Sequence, residues 1–376
     1  MNIVVNTRLL IPGKIEGLGR FTHETLKRIT NSHPEHKFVF VFDRKFSDEF
    51  IYSPNIEPVI AFPPARHPLL WYLFFDWGIP TVLKKFDAGL FLSPDGWLSL
   101  RTKVPSVPVI HDLNFFHNPE WIEWAPMRYY NYFFPRFIQK AERIVTVSQY
   151  SKEDIINRFD FSSSSIDVVY NGSSEGFEPA SEKIKTEIKT RFAQGCDFFL
   201  FIGSVHPRKN LAKIIKAFDN FKYISDADTK LLIVGSTKYM SPDVELALQA
   251  SKFKADIILT GYLPDADLKK LTASALALVY ASLFEGFGIP ILEAMQCDVP
   301  VITSNTSSMP EVGGDAVLLV DPHSAASISE AMRKIYSDSK LRHCLIEKAR
   351  FQRENFSWDK TADLLWKSIE KVISGK

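Results

Sequence analysis

Glu285-Gly286-Phe287-Gly288-Ile289-Pro290-Ile291-Leu292-Glu293 decides how the rest of the chain is read. Two carboxylates stand eight positions apart, with two glycines and a proline between them. The run before them, Leu276-Ala277-Leu278-Val279-Tyr280, is apolar without alternation, as in a strand buried on both faces of a parallel sheet. Ile291-Leu292-Glu293-Ala294-Met295 reads as a helix, with Pro290 in its first turn, where a missing N–H costs nothing. The unit is therefore strand, glycine-rich loop, helix. Glycines let backbone N–H groups approach a ligand, and a helix N-terminus favours an anion. The flanking carboxylates can each accept hydrogen bonds from hydroxyl groups. A ligand carrying both phosphate and sugar hydroxyls suits the combination; the plain alternative is two solvated or helix-capping carboxylates.

Composition narrows the setting. The 376 residues are enough for two α/β domains, and 45% hydrophobic with 24% charged residues is ordinary for a globular protein. A formal net charge of +1 argues against a polyanion such as nucleic acid. Cys196, Cys297 and Cys344 are scattered and odd in number, giving neither a disulfide framework nor zinc spacing, and are expected to be reduced thiols. Asn2-Ile3-Val4-Val5-Asn6 begins a strand at once, and no apolar run approaches a membrane span, so a cytoplasmic location is expected.

The same punctuation recurs upstream. Phe198 to Ile202 reads as a strand, followed by Gly203-Ser204-Val205-His206-Pro207-Arg208-Lys209-Asn210, and Asn210 is expected to cap a helix through Leu211, Ile214, Ile215 and Phe218. Two cations just before a helix N-terminus oppose its dipole. A bound anion resolves that conflict, and Arg, Lys and helix amides can together hold a diphosphate; a solvated basic turn is the alternative. Leu231 to Val234 and Ile257 to Thr260 are strands, the second ending in Gly261-Tyr262-Leu263-Pro264. Asp226-x-Asp228 and Asp265-x-Asp267 invite a metal reading, but acids are favoured in a helix's first turn anyway, so no metal is expected. Val299 to Thr303 and Val317 to Val320 complete the strands, separated by the polar loop Ser304 to Glu311.

The first half repeats the pattern less sharply. Strands are expected at Ile3–Asn6, Phe38–Phe42, Ala88–Leu92, Val107–Ile110, Ile144–Val147 and Ile166–Tyr170. Gly17-Leu18-Gly19-Arg20 opens a helix, so its amides could face a phosphate, a sugar or an acceptor, or simply make a turn; the third glycine of a dinucleotide fingerprint is missing. The aromatic run Arg66 to Trp77 could touch a membrane or a lipid-linked acceptor, but it is apolar all round, which favours a core helix. His111 at a strand's carboxyl end faces the ligand side of an open α/β sheet or is a core histidine, while Asp112 orients it or caps the next segment. Asn171-Gly172 and the polar stretch after it mark a domain boundary. At the end of the chain, Ser357 caps an amphipathic helix with Ala362, Leu364, Leu365, Ile369 and Val372 as its stripe.

Strand and helix alternate throughout, which argues for two doubly wound parallel sheets, with all the singled-out loops at strand carboxyl ends. The stretch 285–293 resembles the signature of retaining glycosyltransferases of family four, which have the GT-B fold: two Rossmann-like domains facing a central cleft. His111-Asp112, Val147-Ser148-x-x-Ser151, Asn171-Gly172 and Pro207-Arg208-Lys209-Asn210 resemble the same family, with Ser204 standing where some members carry an arginine. The resemblance implies an acceptor-side domain 1–172, joined by a helix within 357–376 that crosses back, and a nucleotide-sugar domain 173–356. It implies Arg208 and Lys209 on the donor diphosphate and Glu293 on the ribose. Glu285, with the amides of Phe287, Gly288 and Ile289, falls to the donor sugar, and His111 lies beside the reaction centre. Gly17, Gly19, Gly203, Tyr262 and Leu263 join the donor contacts. No covalent nucleophile stands out; the family is explained by same-face attack assisted by the leaving phosphate. The implied partners are a nucleotide-sugar donor, by overall likeness GDP-mannose, and a saccharide or lipid-linked saccharide acceptor in surface polysaccharide synthesis. Peripheral contact with the inner face of a membrane goes with such an acceptor. An NAD-dependent two-domain oxidoreductase lacks its G-x-G-x-x-G here, and a catalytically silent sugar-nucleotide-binding protein fits poorly with an intact set of charged residues.

Overall fold

A computed structural model describes residues 1–13, 15, 17–236 and 240–375. The chain divides into two compact units, Met1–Asn171 with Ser357–Lys376, and Gly172–Phe356.

The first unit is built on a parallel sheet of β1 (Asn2–Asn6), β2 (Lys37–Phe42), β3 (Ile56–Ile60), β4 (Leu90–Ser93), β5 (Ser106–Ile110), β6 (Ile144–Thr146) and β7 (Ile166–Val168). Their order is β3-β2-β1-β4-β5-β6-β7. The second holds β8 (Asp197–Ile202), β9 (Thr229–Val234), β10 (Ile257–Gly261), β11 (Ala277–Tyr280), β12 (Val301–Ser304) and β13 (Val317–Val320), ordered β10-β9-β8-β11-β12-β13. Every strand pair is parallel. Phe198, Phe199, Leu200 and Phe201 are fully buried, as the unbroken apolar run requires of a strand covered on both faces. In each sheet the strand order reverses once, between β1 and β4 and between β8 and β11. Loops leaving the two central strands diverge there and open a crevice at their carboxyl ends.

Two glycines let β8 and β9 end side by side. Gly203 donates to Val234 O at 2.9 Å. At Gly235, φ +149°, an added Cβ would lie 1.9 Å from Gly203 O.

One strand is added to the sequence reading, and three expectations change. Edge strand β3 was not legible, since Glu57 and Pro58 interrupt it; an edge tolerates them because it pairs only with β2. The aromatic run is not one core helix: Pro68–Leu73 is α-helical and Phe74–Gly78 is a π-helical turn. Phe74 and Phe75 are buried, while Leu69 and Trp77 are 63% and 53% exposed. The final helix, Trp358–Ile373, is capped by Ser357, whose Oγ accepts from Lys360 N at 3.2 Å. Its buried face holds Trp358, Leu365, Trp366 and Ile369, while Leu364 points outward. Asn210, finally, does not cap its helix, for the reason given next.

Candidate active site

In the second unit the crevice is formed by the loops after β8 and β11. Pro207–Lys209 makes a single 3₁₀ turn before the helix Leu211–Ser225. Asn210 lies between them at φ 59°, ψ 29°, a left-handed conformation outside the extended geometry of a side-chain cap. Its amide instead donates to Ala281 O at 3.0 Å and Pro322 O at 2.7 Å, tying the β8 loop to those after β11 and β13.

That tie brings Arg208 and Lys209 onto Glu285. Lys209 Nζ donates to Glu285 Oε1 at 2.6 Å, and Arg208 Nη1 donates to Oε2 and to Phe284 O. Lys209 Nζ also donates to the Tyr280 hydroxyl. Glu285 and Lys209 are only 6% and 8% exposed. Burial by itself would raise the Glu285 pKa, but the Lys209 and Arg208 charges outweigh it and hold it at about 2. Burial, then the Glu285 charge, pushes the Tyr280 hydroxyl well above its usual range, so Tyr280 is a neutral phenol. The cluster thus carries a net positive charge. The sequence suggested separate tasks for the two cations and for Glu285; the structure joins all three in one ionic group, with Tyr280 as an unforeseen fourth member.

The end of β12 and the polar loop after it are spent on holding this arrangement. Glu285 N donates to Ser307 Oγ at 3.1 Å. Ser308 Oγ donates to Glu285 O at 2.9 Å and Phe287 O at 3.0 Å, and Ser304 Oγ to Ser282 O at 2.6 Å. Gly288 takes φ 102°, a left-handed turn closed to most side chains, and starts the helix Ile289–Gln296 with Pro290 in its first turn. The Phe287 side chain is buried edge-to-face on Phe356, which leaves its backbone as the part a ligand can use. Glu293, one helical turn from that N-terminus, accepts from Ser174 Oγ at 2.8 Å. No local motif marks Ser174, which lies 119 positions away. Tyr262, 66% exposed, and half-buried Leu263 follow β10 at the sheet edge.

In the first unit, Gly17 occupies the cap position of the helix Leu18–Ser32, and Gly19 is buried in its first turn. His111 follows β5. Its Nε2 lies 3.0 Å from Pro94 O, an acceptor only, so Nε2 carries the hydrogen and Nδ1 is left as an acceptor. Burial depresses its pKa, and the imidazole is neutral. Phe21 meets the ring edge-on, and Ser151 Oγ donates to His111 O at 3.2 Å. Ser148 Oγ caps the next helix by accepting from Ser151 N at 3.1 Å. Asp112 closes an Asx turn ahead of the next short helix: its Oδ1 accepts from Asn114 N at 2.9 Å.

Among the described residues no group of three or more His, Cys, Asp or Glu side chains converges to hold a metal ion. Asp265 and Asp267 sit in the first turn of the helix Asp265–Thr272, and Asp267 pairs with Arg191 at 3.1 Å.

Two family models divide the chain between them: Glycosyltransferase Family 4 over residues 15–174 and Glycosyl transferases group 1 over residues 182–352. The chain belongs to the family-four glycosyltransferases. The enzyme is 29% identical over 362 residues to O-antigen chain mannosyltransferase B of Escherichia coli, covering 92% of this chain and 93% of that one. It is 28% identical over 283 residues to O-antigen chain mannosyltransferase RfbU of Salmonella typhimurium, covering 75% of each. Among solved structures it is similar to the sucrose-phosphate synthase of Thermosynechococcus elongatus, with a TM-score of 0.79 at 15% identity and all of both chains covered. WaaG, a glycosyltransferase involved in lipopolysaccharide biosynthesis, gives 0.74 at 16%, again over all of both chains. The two parallel α/β sheets of this hexosyltransferase are those of the GT-B fold.

Proposed function

We propose that the enzyme transfers mannose from GDP-mannose, with retention, onto a saccharide or lipid-linked saccharide acceptor in surface polysaccharide synthesis. The observation that carries the donor chemistry is the Arg208–Lys209–Glu285 cluster at the carboxyl ends of β8 and β11, net positive and largely buried. Negative charge develops on the leaving diphosphate, and fixed cations stabilise it there. Glu293 is assigned to the ribose, Glu285 with the Phe287 and Gly288 amides to the donor sugar, and neutral His111 to the sugar near the reaction centre. Mannose is supported by the relatives, both named as O-antigen mannosyltransferases. The direct test is a thermal-shift panel of GDP-, UDP- and dTDP-sugars and NAD, since a ligand bound only by the folded state stabilises it. GDP-mannose is expected to give the largest shift; a shift with NAD alone overturns the reading.

Arg208 and Lys209 supply the charge that a divalent cation would otherwise bring, so transfer is expected to persist unchanged in excess chelator. Loss of activity restored by manganese or magnesium would return the Asp-x-Asp turns to consideration.

Peripheral membrane contact is part of the same proposal. Among the described residues no helix is long and apolar enough to cross a membrane. The helix Trp124–Lys140, however, exposes Trp124, Arg128, Tyr132 and Arg136 on one face at four-residue spacing, with Arg128 5.0 Å from the Trp124 ring and Arg136 3.7 Å from that of Tyr132. Aromatic rings alternating with cations suit a headgroup region with anionic lipids. The enzyme is expected to sediment with phosphatidylglycerol vesicles and not with phosphatidylcholine, and Trp124→Ala with Tyr132→Ala to abolish this. Equal sedimentation of wild type and double variant would refute it.

A further inference from the structure

The crevice of the first sheet holds a polar group that neither the sequence motifs nor the donor chemistry uses. Arg8 stands two residues beyond β1 and Asp95 two beyond β4, on either side of the strand-order reversal. Arg8 Nε donates to Asp95 Oδ2 at 2.6 Å, and Arg8 is 9% exposed. The other carboxylate oxygen is saturated: Oδ1 accepts from Asn6 Nδ2 at 2.8 Å, Ser93 Oγ at 3.1 Å and Trp97 N at 3.3 Å. The guanidinium is not. Its Nη1 and Nη2 have no hydrogen-bond partner among the described residues, although its plane is held 4.5 Å from the Trp97 ring and 5.3 Å from that of Phe75. Neither nitrogen is sealed from solvent, so a donor pair held this firmly is open to an acceptor that arrives from outside.

The surroundings say what kind. Tyr129 stacks on Trp97 at 4.9 Å and Tyr130 meets it edge-on at 5.6 Å, with Trp71 4.6 Å from Trp97. The Tyr129 and Tyr130 hydroxyls also lack partners among the described residues; burial raises both pKa values, and Arg8 and Asp95 act on both. Aromatic walls with a few fixed donors match a pyranose, apolar on its C–H faces and rich in hydroxyl oxygens. An anion fits less well, because Asp95 already compensates the Arg8 charge at 2.6 Å and a second negative group would face it. Pro94 O, beside Asp95, holds His111, so the group adjoins the histidine assigned to the reaction centre.

We propose that Arg8, Tyr129 and Tyr130 form the subsite for an uncharged sugar ring of the acceptor, with Asp95 as the residue that positions Arg8. This rests on the glycosyltransferase reading above and adds the class of group recognised. The test is saturation-transfer NMR on the intact enzyme with methyl glycosides of mannose, glucose, galactose, rhamnose and N-acetylglucosamine, beside methyl glucuronide and inorganic phosphate. Arg8→Lys keeps the charge beside Asp95 but loses the fork, and Tyr130→Phe removes one hydroxyl alone. At least one uncharged glycoside is expected to bind, about tenfold or more weakly to Arg8→Lys and at least threefold more weakly to Tyr130→Phe. GDP affinity should be the same in all three proteins, which a merely structural loss would not spare. Unchanged glycoside affinity in Tyr130→Phe, or binding by glucuronide and phosphate alone, overturns the proposal. Lys209→Ala separates the two readings: it should lose GDP and keep the glycoside, so failure of nucleotide binding in the wild type would sink the donor assignment and leave this one standing.

Discussion

Glu285→Gln is expected to bind nucleoside diphosphate roughly tenfold more tightly than the wild type while its kcat falls at least tenfold. Glu285 holds both cations that a diphosphate needs, Lys209 at 2.6 Å and Arg208 on its other oxygen. Opposite charges about 4 Å apart interact by about 4 kcal/mol at an effective dielectric near 20, and a tenfold gain, about 1.4 kcal/mol, asks for only part of that. Removing the carboxylate charge releases the cations for the ligand. It also removes the negative group assigned to the donor sugar, where positive charge builds on the ring as the anomeric bond breaks, so the loss appears in kcat. Glu293→Gln is the control. Its carboxylate is assigned to the ribose, which does not react, so KM should rise with kcat nearly unchanged. Titration calorimetry with GDP and full donor-concentration kinetics on both variants decide this; the same fall in kcat with unchanged KM in both would refute the division.

The same substitution has a stability consequence with a defined sign. Glu285 is held at about 2, below its ordinary value of 4.5. A carboxyl depressed on folding contributes stability above its unfolded pKa and loses it as pH falls toward the folded value. At about 1.36 kcal/mol per unit, the contribution at pH 7 is about 3 kcal/mol, lost between about pH 4.5 and 2. Glu285→Gln should flatten that acid limb.

Lys209→Ala should weaken GDP and GDP-mannose tenfold or more, consistent with losing a charged partner worth roughly 1.5–3 kcal/mol, and leave guanosine almost unaffected. It should also lower the unfolding free energy by about 3 kcal/mol, because a buried carboxylate is left one partner short. Arg208 keeps the second oxygen paired, which places the cost at the low end for a broken buried pair. Calorimetry with guanosine beside GDP makes the distinction: equal weakening of the two would mean that the lysine only supports the loop.

How much of this was legible follows from where each signal lies. Strands buried on both faces show as continuous apolar runs, so Phe198–Ile202 and Ala277–Tyr280 could be read directly. Edge strand β3 could not, because one-sided pairing relaxes the demand for apolar residues and admits Pro58. Arg208, Lys209, Glu285 and Glu293 were legible as local motifs, but that three of them form one cluster was not, since β8 and β11 become neighbours only through the sheet order. Nothing local joined Arg8 to Asp95: 87 positions separate them, and the adjacency of β1 and β4 alone brings them together. Asn210 read as a cap because capping residues are recognised by type, whereas its left-handed backbone turns the side chain to other loops.

The central claim, retaining transfer of mannose from a guanosine sugar nucleotide, is tested most directly by following GDP-α-mannose with a mannose-terminated oligosaccharide by proton NMR in excess chelator. The expected result is a new α-anomeric signal growing as GDP is released, present from the first turnovers and absent in Lys209→Ala. A β-linked first product, or transfer from UDP- or dTDP-sugars with none from GDP-mannose, would contradict it.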